Sequence, residues 1–516
     1  MQNNYLENMA NETKIIHSKT FEIVKSAVNK MVDFIRPTYG PAGNKVIIAK
    51  SNYFSPLVVD DGVQAARDFE LDDQAENAVV KVVREVAVRT NDRVGDGTTG
   101  ALIMVQAIIN EIAKYNQING REIERELKKG FAEVKEQLTF SAKQIRTKEE
   151  LKKVAMVSFD NEKMAEMLAD TYFKLGKDGI ITIDKSPTME TTCETSAGVK
   201  IDRGYISPYM IINPERMESV LEKPYILITD YRITEAADLL PIMNKMAAAN
   251  KRELVIIAEN LEQSALATAV ANRVQGKFLI VAIVAPAGDD RTVVLEDIAK
   301  MTGAKMFAQS KGDKLEEAEI TDLGRAERFI CKQEESVIVK PKGSKKEIKD
   351  AINMLRVAVE VETNERNKNN LKKRLGAYTN SIAVIKVGAP TENEQKALKY
   401  KVEDAVNAVK AAYKGGVVAG AGLSLARLQT SSPLLNKALK YPAKQLFENM
   451  GMTDFTLPKN GTALNVVTGK TGNPMSVGVI DPVDVLIAGV ESAVSIASIL
   501  VTSSGMIVEI PKPENK

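Results

Sequence analysis

Gly95-Asp96-Gly97-Thr98-Thr99-Gly100 brings pliable backbone, one carboxylate and two hydroxyls together in six residues. The spelling fits G-x-G-x-x-G, but a dinucleotide site of that kind needs a β-strand before the first glycine. The preceding run, Val79 to Val88, has apolar residues at 79, 82, 83 and 86, which is helical spacing. After the glycines, Ala101-Leu102-Ile103-Met104-Val105 opens a second apolar helix that continues through Ile112. The stretch therefore joins two helices. Asp96 also argues against a bare pyrophosphate, because a carboxylate about 4 Å from a phosphate charge costs on the order of 4 kcal/mol at an effective dielectric near 20. A divalent cation between the two reverses that sign, as Mg²⁺ does in phosphate sites. These residue types thus support phosphate bound at a helix N-terminus by the amides and hydroxyls of Thr98 and Thr99, with Asp96 holding Mg²⁺. An ordinary glycine-rich interhelical turn is the alternative that the six residues alone leave open.

The chain that must position this stretch has 516 residues, too many for one core, so several domains are expected. Lys+Arg of 70 against Asp+Glu of 68 leaves +2, which gives no global field to recruit nucleic acid or an anionic membrane. Two cysteines, Cys193 and Cys331, cannot build a disulfide framework, and a reducing, cytoplasmic setting is expected. The single histidine, His17, removes His-based triads and multi-His zinc sites and is read as a surface helix residue. The longest apolar run, Leu279 to Ala287, is strand-sized, so no membrane span is expected. The N-terminus carries Glu7 and Glu12 and no hydrophobic segment of the secretory type.

Apolar groups at Phe21, Val24, Val28, Met31 and Ile35 predict an amphipathic helix, stopped by Arg36-Pro37-Thr38-Tyr39-Gly40-Pro41. A short strand at 45–49 precedes the two helices around the glycine stretch, and a further helix spans about 121–137. Between about 197 and 380, compact apolar runs at Tyr225–Thr229, 254–258 and 278–284 alternate with helical stretches at 234–249 and 261–274. That is α/β alternation around buried strands. After a strand at 382–387 the chain returns to helices, beginning with 394–413. The expected architecture is nested: a helical base from both chain ends, a small connector crossed twice, and an inserted α/β domain. Gly469-Lys470-Thr471 ends like a P-loop, but the required earlier glycine is Leu464.

Several motifs now coincide in order: Thr38-Tyr39-Gly40-Pro41, Asp61-Gly62-Val63, Asn91-Asp92 with the glycine stretch, Asp202-Arg203-Gly204-Tyr205-Ile206-Ser207-Pro208-Tyr209, Val402-Glu403-Asp404-Ala405, Gly416-Val417-Val418-Ala419-Gly420, and Ile480-Asp481-Pro482. Together they resemble the group I chaperonins, the GroEL/Hsp60 family, from about residue 14 to 512. The resemblance implies a multidomain α and α/β chaperonin fold. Its parts would be a helical equatorial ATPase domain (1–140 and 414–516), a small α+β intermediate domain (141–196 and 382–413) and an inserted α/β apical domain (197–381). It implies ATP and Mg²⁺ as cofactors, with K⁺ as the monovalent cation. Its partners would be non-native polypeptides, other copies in a seven-subunit ring, single or double, and a lid co-chaperonin.

Residue by residue, the resemblance makes Asp96 the Mg²⁺ ligand, with Gly97, Thr98, Thr99 and Gly100 cradling phosphates and Thr38, Tyr39, Gly40 and Pro41 forming a second phosphate-side loop. Asp404 would position and activate the attacking water, with Asp61 beside it and Asp60 next to the phosphates. Because Asp404 rides on the connector, hydrolysis would be conditional on conformation. Asp481 would hold ribose; Gly420 and Ala421 would line the nucleotide loop, and Asn465, Val466 and Val467 the adenine side. In 234–249, Leu239, Ile242, Met243 and Met246 form a stripe suited to a core, and apolar residues on two faces more often mean burial. The resemblance points instead to exposure of Tyr205, Tyr209, Met210, Leu240, Met243, Leu266, Val270 and Ala271 as a lip that captures polypeptide by area.

The chain also departs from the family pattern. Asp60 stands where lysine is usual, Gly100 replaces a usual threonine, and Ala421 replaces a usual glycine. Gly198 is kept, but Asn380-Ser381 replaces paired glycines at the upper hinge; the 429–462 region is shorter, and Thr453 sits where an acidic residue crosses between rings. The glycine-methionine tail is missing. Two readings follow: an ATP-driven foldase, or a holding and scaffolding ring with weak hydrolysis dedicated to particular clients.

Overall fold

A computed structural model of the chain describes residues 12–16, 19–49, 57–59, 62–115, 119–158, 161–176, 179–214, 216–286, 291–379, 381–452 and 455–510. Asp60, Asp61, Asn380 and Thr453, and with them His17, fall outside the described residues. The chain divides into two compact units, Met1–Lys177 with Ala389–Lys516, and Asp178–Gly388.

The first unit is helical. Helix Thr20–Ile35 buries Val24, Ala27, Val28, Met31, Val32 and Ile35, the stripe its sequence spacing predicts, and Pro37 turns the chain into the 3₁₀ segment Arg36–Thr38. Asp73 caps helix Gln74–Val94 by accepting the Glu76 N–H at 2.8 Å. Helix Thr98–Ile112 is buried on all sides, with only Asn110 outside the core. Its neighbours are helices Thr20–Ile35, Gln74–Val94 and Val483–Thr502. Helices Lys148–Ser158, Glu162–Leu175 and Glu392–Gly415 pack together in the same unit. Strands Glu12–Ile16 and Met506–Ile510 pair antiparallel and bring the two ends of the described chain together.

Helix Val483–Thr502 corrects the expectation that no segment reaches spanning length: it has 20 residues, and an 18-residue window within it has a mean hydropathy of 2.0. Asp484 and Glu491 break the apolar run in sequence and hid it. The helix is 67% buried inside the protein and packs on helices Gln74–Val94, Thr98–Ile112 and Gly120–Ser141, so its apolar surface is spent on the core.

The second unit is built on a 10-stranded mixed sheet. Strands Leu279–Val284, Glu253–Ala258 and Tyr225–Thr229 run parallel, and Gly324–Cys331, Ser336–Pro341, Thr192–Ile201 and Ser381–Val387 continue it antiparallel. Alternate residues of the parallel strands enter opposite cores. Ile226, Ile228, Val255 and Ile257 join one cluster, while Tyr225, Leu227, Leu254 and Ile256 join the other. Both faces are therefore covered, which is why these strands read as continuous apolar runs. Helices Ala236–Ala248 and Gln263–Val274 carry residues of the second cluster, and Arg291–Thr302 carries residues of the first.

Leu102 has no solvent exposure and fills the middle of the helical core. Leu102→Ala is expected to cost about 2–5 kcal/mol, read as an earlier urea midpoint for the transition that unfolds the first unit. An unchanged midpoint would mean that the core around helix Thr98–Ile112 is not packed as described.

Candidate functional site

The site starts at a tight corner between two helices. Helix Gln74–Val94 ends on Gly95, whose φ of 68° is left-handed and whose N–H donates to the Asn91 carbonyl at 2.7 Å. Gly97, at φ 79°, then opens helix Thr98–Ile112 without any side-chain cap. The first amides of this long helix are left for another acceptor. Gly100, expected in the loop, already lies within the helix. Asp96 accepts the Gly97 N–H at 2.5 Å, which turns its carboxylate onto the corner. Thr98 and Thr99 are buried, and Gly62 approaches Thr99 so closely that a Cβ there would stand 1.9 Å from the Thr99 hydroxyl.

A second helix begins beside the first. Strand Ile480–Pro482 pairs antiparallel with Val417–Ala419, placing Asp481 opposite Val418 just before helix Val483–Thr502. That helix also has no side-chain cap. A Cβ on Gly97 would meet Val485 at 2.7 Å, and one on Gly489 would meet Met104 at 3.5 Å and Ala101 at 3.8 Å. The two helices thus run side by side in the same direction away from the site. Gly420 rests on Ile480 and comes to 3.0 Å from the Asp481 carboxylate, measured from its ideal Cβ. Burial and, after it, the neighbouring Asp96 push the Asp481 carboxyl up to about 7 against a hydrogen bond from the Gly422 backbone that lowers it. Ala421, between these glycines, is held at φ 56°, a left-handed conformation that disfavours a Cβ.

The remaining predicted residues gather around this pair in different ways. Asn449 donates from its amide to the Arg36 carbonyl at 3.0 Å and the Tyr39 carbonyl at 2.9 Å, which fixes the 36–40 loop. Thr38 is buried, and its hydroxyl donates to the Ile35 carbonyl at 2.8 Å. Gly40 and Pro41 are exposed. Asn465 donates to the Val477 carbonyl at 2.8 Å and accepts the Val467 and Thr468 amides at 3.0 Å. Its amide therefore shapes its own turn, with Val466 half-buried and Val467 exposed. Asp404 lies on helix Glu392–Gly415, one turn before Asn407. A Cβ on Gly95 would meet the Asn407 amide nitrogen at 1.9 Å, so this helix is pressed onto the phosphate corner itself. Asn407 and Gly422 were not singled out from the sequence, although each lies within three residues of one that was.

The residues fit a magnesium-bound nucleotide. Among the described residues no group of three or more His, Cys, Asp or Glu side chains could hold a metal alone. A cation between Asp96 and Asp481 would have to complete its shell with phosphate and water, which is how Mg²⁺ is ordinarily held. The model of the TCP-1/cpn60 chaperonin family matches residues 31–511. The chain belongs to that family.

Among solved structures, the chaperonin gp146 from the bacteriophage EL 2 (Pseudomonas aeruginosa), crystallised in the presence of ATP-BeFx, matches with a TM-score of 0.67 at 21% identity, covering 96% of this chain and 99% of that one. A second crystal form of the same protein gives 0.62 at 20% identity with the same coverage. The likeness establishes the chaperonin fold.

In the second unit of this chaperonin, two of the eight expected capture residues turn inward. Met210 has no exposure and Met243 only 3%. Met243 belongs with Leu239, Ile242 and Met246 on the face that meets Leu227 and Leu254, and the Met210 sulfur accepts the Ala282 N–H at 3.3 Å. Both are core residues, which corrects the expectation. Tyr209 and Leu240 are exposed, Ala271 is exposed, and Tyr205, Leu266 and Val270 are half-buried. Val274, one turn beyond Val270, is also exposed and was missed.

Asp481 titrates near 3.8 unfolded and near 7 folded. Between those values the folded chain keeps a proton that the unfolded chain has lost, so stability falls as pH rises toward 7 and then levels. Asp481→Asn removes that loss. The melting temperature of the ligand-free variant should exceed wild type by a margin that widens from pH 5 to pH 8. A margin independent of pH would refute the assignment.

Proposed function

We propose that this chaperonin binds and hydrolyses ATP at the Asp96 corner and uses the cycle to capture and release non-native polypeptide. The observation that carries this is the pair of uncapped helix starts at Gly97 and Pro482, side by side, with Asp96 and Asp481 between them. Two helix N-termini without side-chain caps favour anionic phosphate, while the two carboxylates call for a cation. Bound Mg²⁺, with K⁺ as a monovalent companion, would supply the charge that reconciles them. Thr98 and Thr99 would hold phosphate oxygens, Gly420 and Ala421 would let the backbone approach the nucleotide, and Asp481 would accept from ribose. Asp404 would orient a water and take its proton, with Asp61 beside it. In the same reading the working form is a homo-oligomeric ring of seven subunits, single or double, closed by a lid. Its equatorial, intermediate and apical domains would have the boundaries expected from sequence.

Asp404→Ala should slow phosphate release by about 10²-fold or more and leave binding of a nonhydrolysable ATP analogue, measured by calorimetry, nearly unchanged. Release at the wild-type rate would remove Asp404 from the chemistry. An analogue that does not bind wild type would remove the nucleotide site altogether. Refolding of a denatured client that gains nothing from ATP, alongside feeble turnover, would favour the holding ring.

Leu240 and Met243 lie on one helix with opposite surroundings, so they separate capture from stability. Leu240→Ser should weaken retention of a denatured client with little change in melting temperature. Met243→Ser should lower the melting temperature instead, because it buries a hydroxyl in place of a packed side chain. Equal effects of both on melting would refute the proposed surface.

A further inference from the structure

Gly100 leaves a gap in the phosphate helix, and Tyr39 fills it. An ideal Cβ on Gly100 would stand 3.2 Å from the Tyr39 hydroxyl and 3.5 and 3.6 Å from two ring carbons. A β-branched side chain such as threonine at this position would crowd the phenol. Tyr39 is not a wandering loop residue. Its carbonyl is held by Asn449 at 2.9 Å, its N–H donates to the Arg36 carbonyl at 3.1 Å, and its ring packs against the helical core.

The hydroxyl ends beside both acidic groups of the site. Burial, then Asp481, then Asp96 hold the phenol above its ordinary range. It is therefore a neutral donor at any working pH. Among the described residues it has no hydrogen-bond partner. A hydrogen-bond donor near two carboxylates, against the first turn of a helix that has no side-chain cap, is suited to an oxygen that arrives with a ligand.

We propose that the side chain of Tyr39, and not only its loop backbone, takes part in nucleotide binding: its hydroxyl, admitted by the missing side chain at Gly100, donates to an oxygen of the bound nucleotide near Asp96 and Asp481. Tyr39 and Gly100 are then a size-matched pair, and the change at 100 is the condition for the donor at 39. The inference depends on nucleotide binding at this site.

The test is calorimetric binding of Mg²⁺-ADP and of a nonhydrolysable ATP analogue to the full chain, with ligand-free melting temperature measured alongside. Tyr39→Phe keeps the ring and removes the donor. It should weaken binding about tenfold, as expected for a hydrogen bond to a charged acceptor, and leave the ligand-free melting temperature unchanged. A purely structural tyrosine would move melting and not affinity. Gly100→Thr should lower both by crowding the phenol. Tyr39→Leu/Gly100→Thr should recover the melting temperature but not the affinity. Wild-type affinity in Tyr39→Phe, with wild type itself binding, overturns this inference alone. Absence of binding to wild type overturns the nucleotide site beneath it.

Discussion

Two carboxylates held together by apolar packing are the constraint on which the first unit turns. Asp96 and Asp481 each precede a long core helix, and the two helices are locked side by side through Gly97, Ala101, Met104, Val485 and Gly489. Neither acid can move away without pulling a buried helix with it. Burial first, and Asp96 after it, hold the Asp481 carboxyl raised. The partial positive charge at the two uncapped helix starts offsets some of that effect, and a bound cation would offset more. Apolar core energy is thereby converted into a site that is electrostatically incomplete by itself.

Much of this was legible in sequence because it rests on local rules. The glycines at 95 and 97 are needed for left-handed backbone, and both adopt it. The periodicity at 20–35 reproduces the buried stripe, and the apolar run through Ile112 is a helix buried on all sides. The compact runs at Tyr225–Thr229 and 254–258 are strands because both faces are covered. Thr38 shows where motif logic stops. Its residue type suits phosphate, yet its hydroxyl proton is taken by a carbonyl three residues back. Asn465 is a similar case, its amide committed to the turn it builds. A residue's type states what it can bond, and only the fold states what it has already bonded.

Long-range facing was the other blind spot. Leu240 and Met243 are three residues apart on one helix, and periodicity allows either to face out. The choice is made by Leu227 and Leu254, which arrive from strands elsewhere in the sheet. Helix Val483–Thr502 was missed for the opposite reason. Asp484 and Glu491 made it look interrupted, whereas Glu491 sits on its outer side, where it pairs with Arg93. Charges that break a run in sequence need not break a buried face in space.

Gly95 explains how a catalytic group can be conditional on the position of its own helix. Asn407 lies where a side chain at 95 would be, so helix Glu392–Gly415 reaches the corner only because that residue has none. Asp404 is one turn away on the same helix and shares its motion. In the proposed reading, withdrawing Asn407 from Gly95 would carry Asp404 away with it, while Asp96 and Asp481 would stay fixed on their buried helices. The carboxylates that would bind and the carboxylate that would hydrolyse are thus mounted on different elements. On that proposal, binding without cleavage would need no unfolding of the core, only a shift of one helix over a glycine.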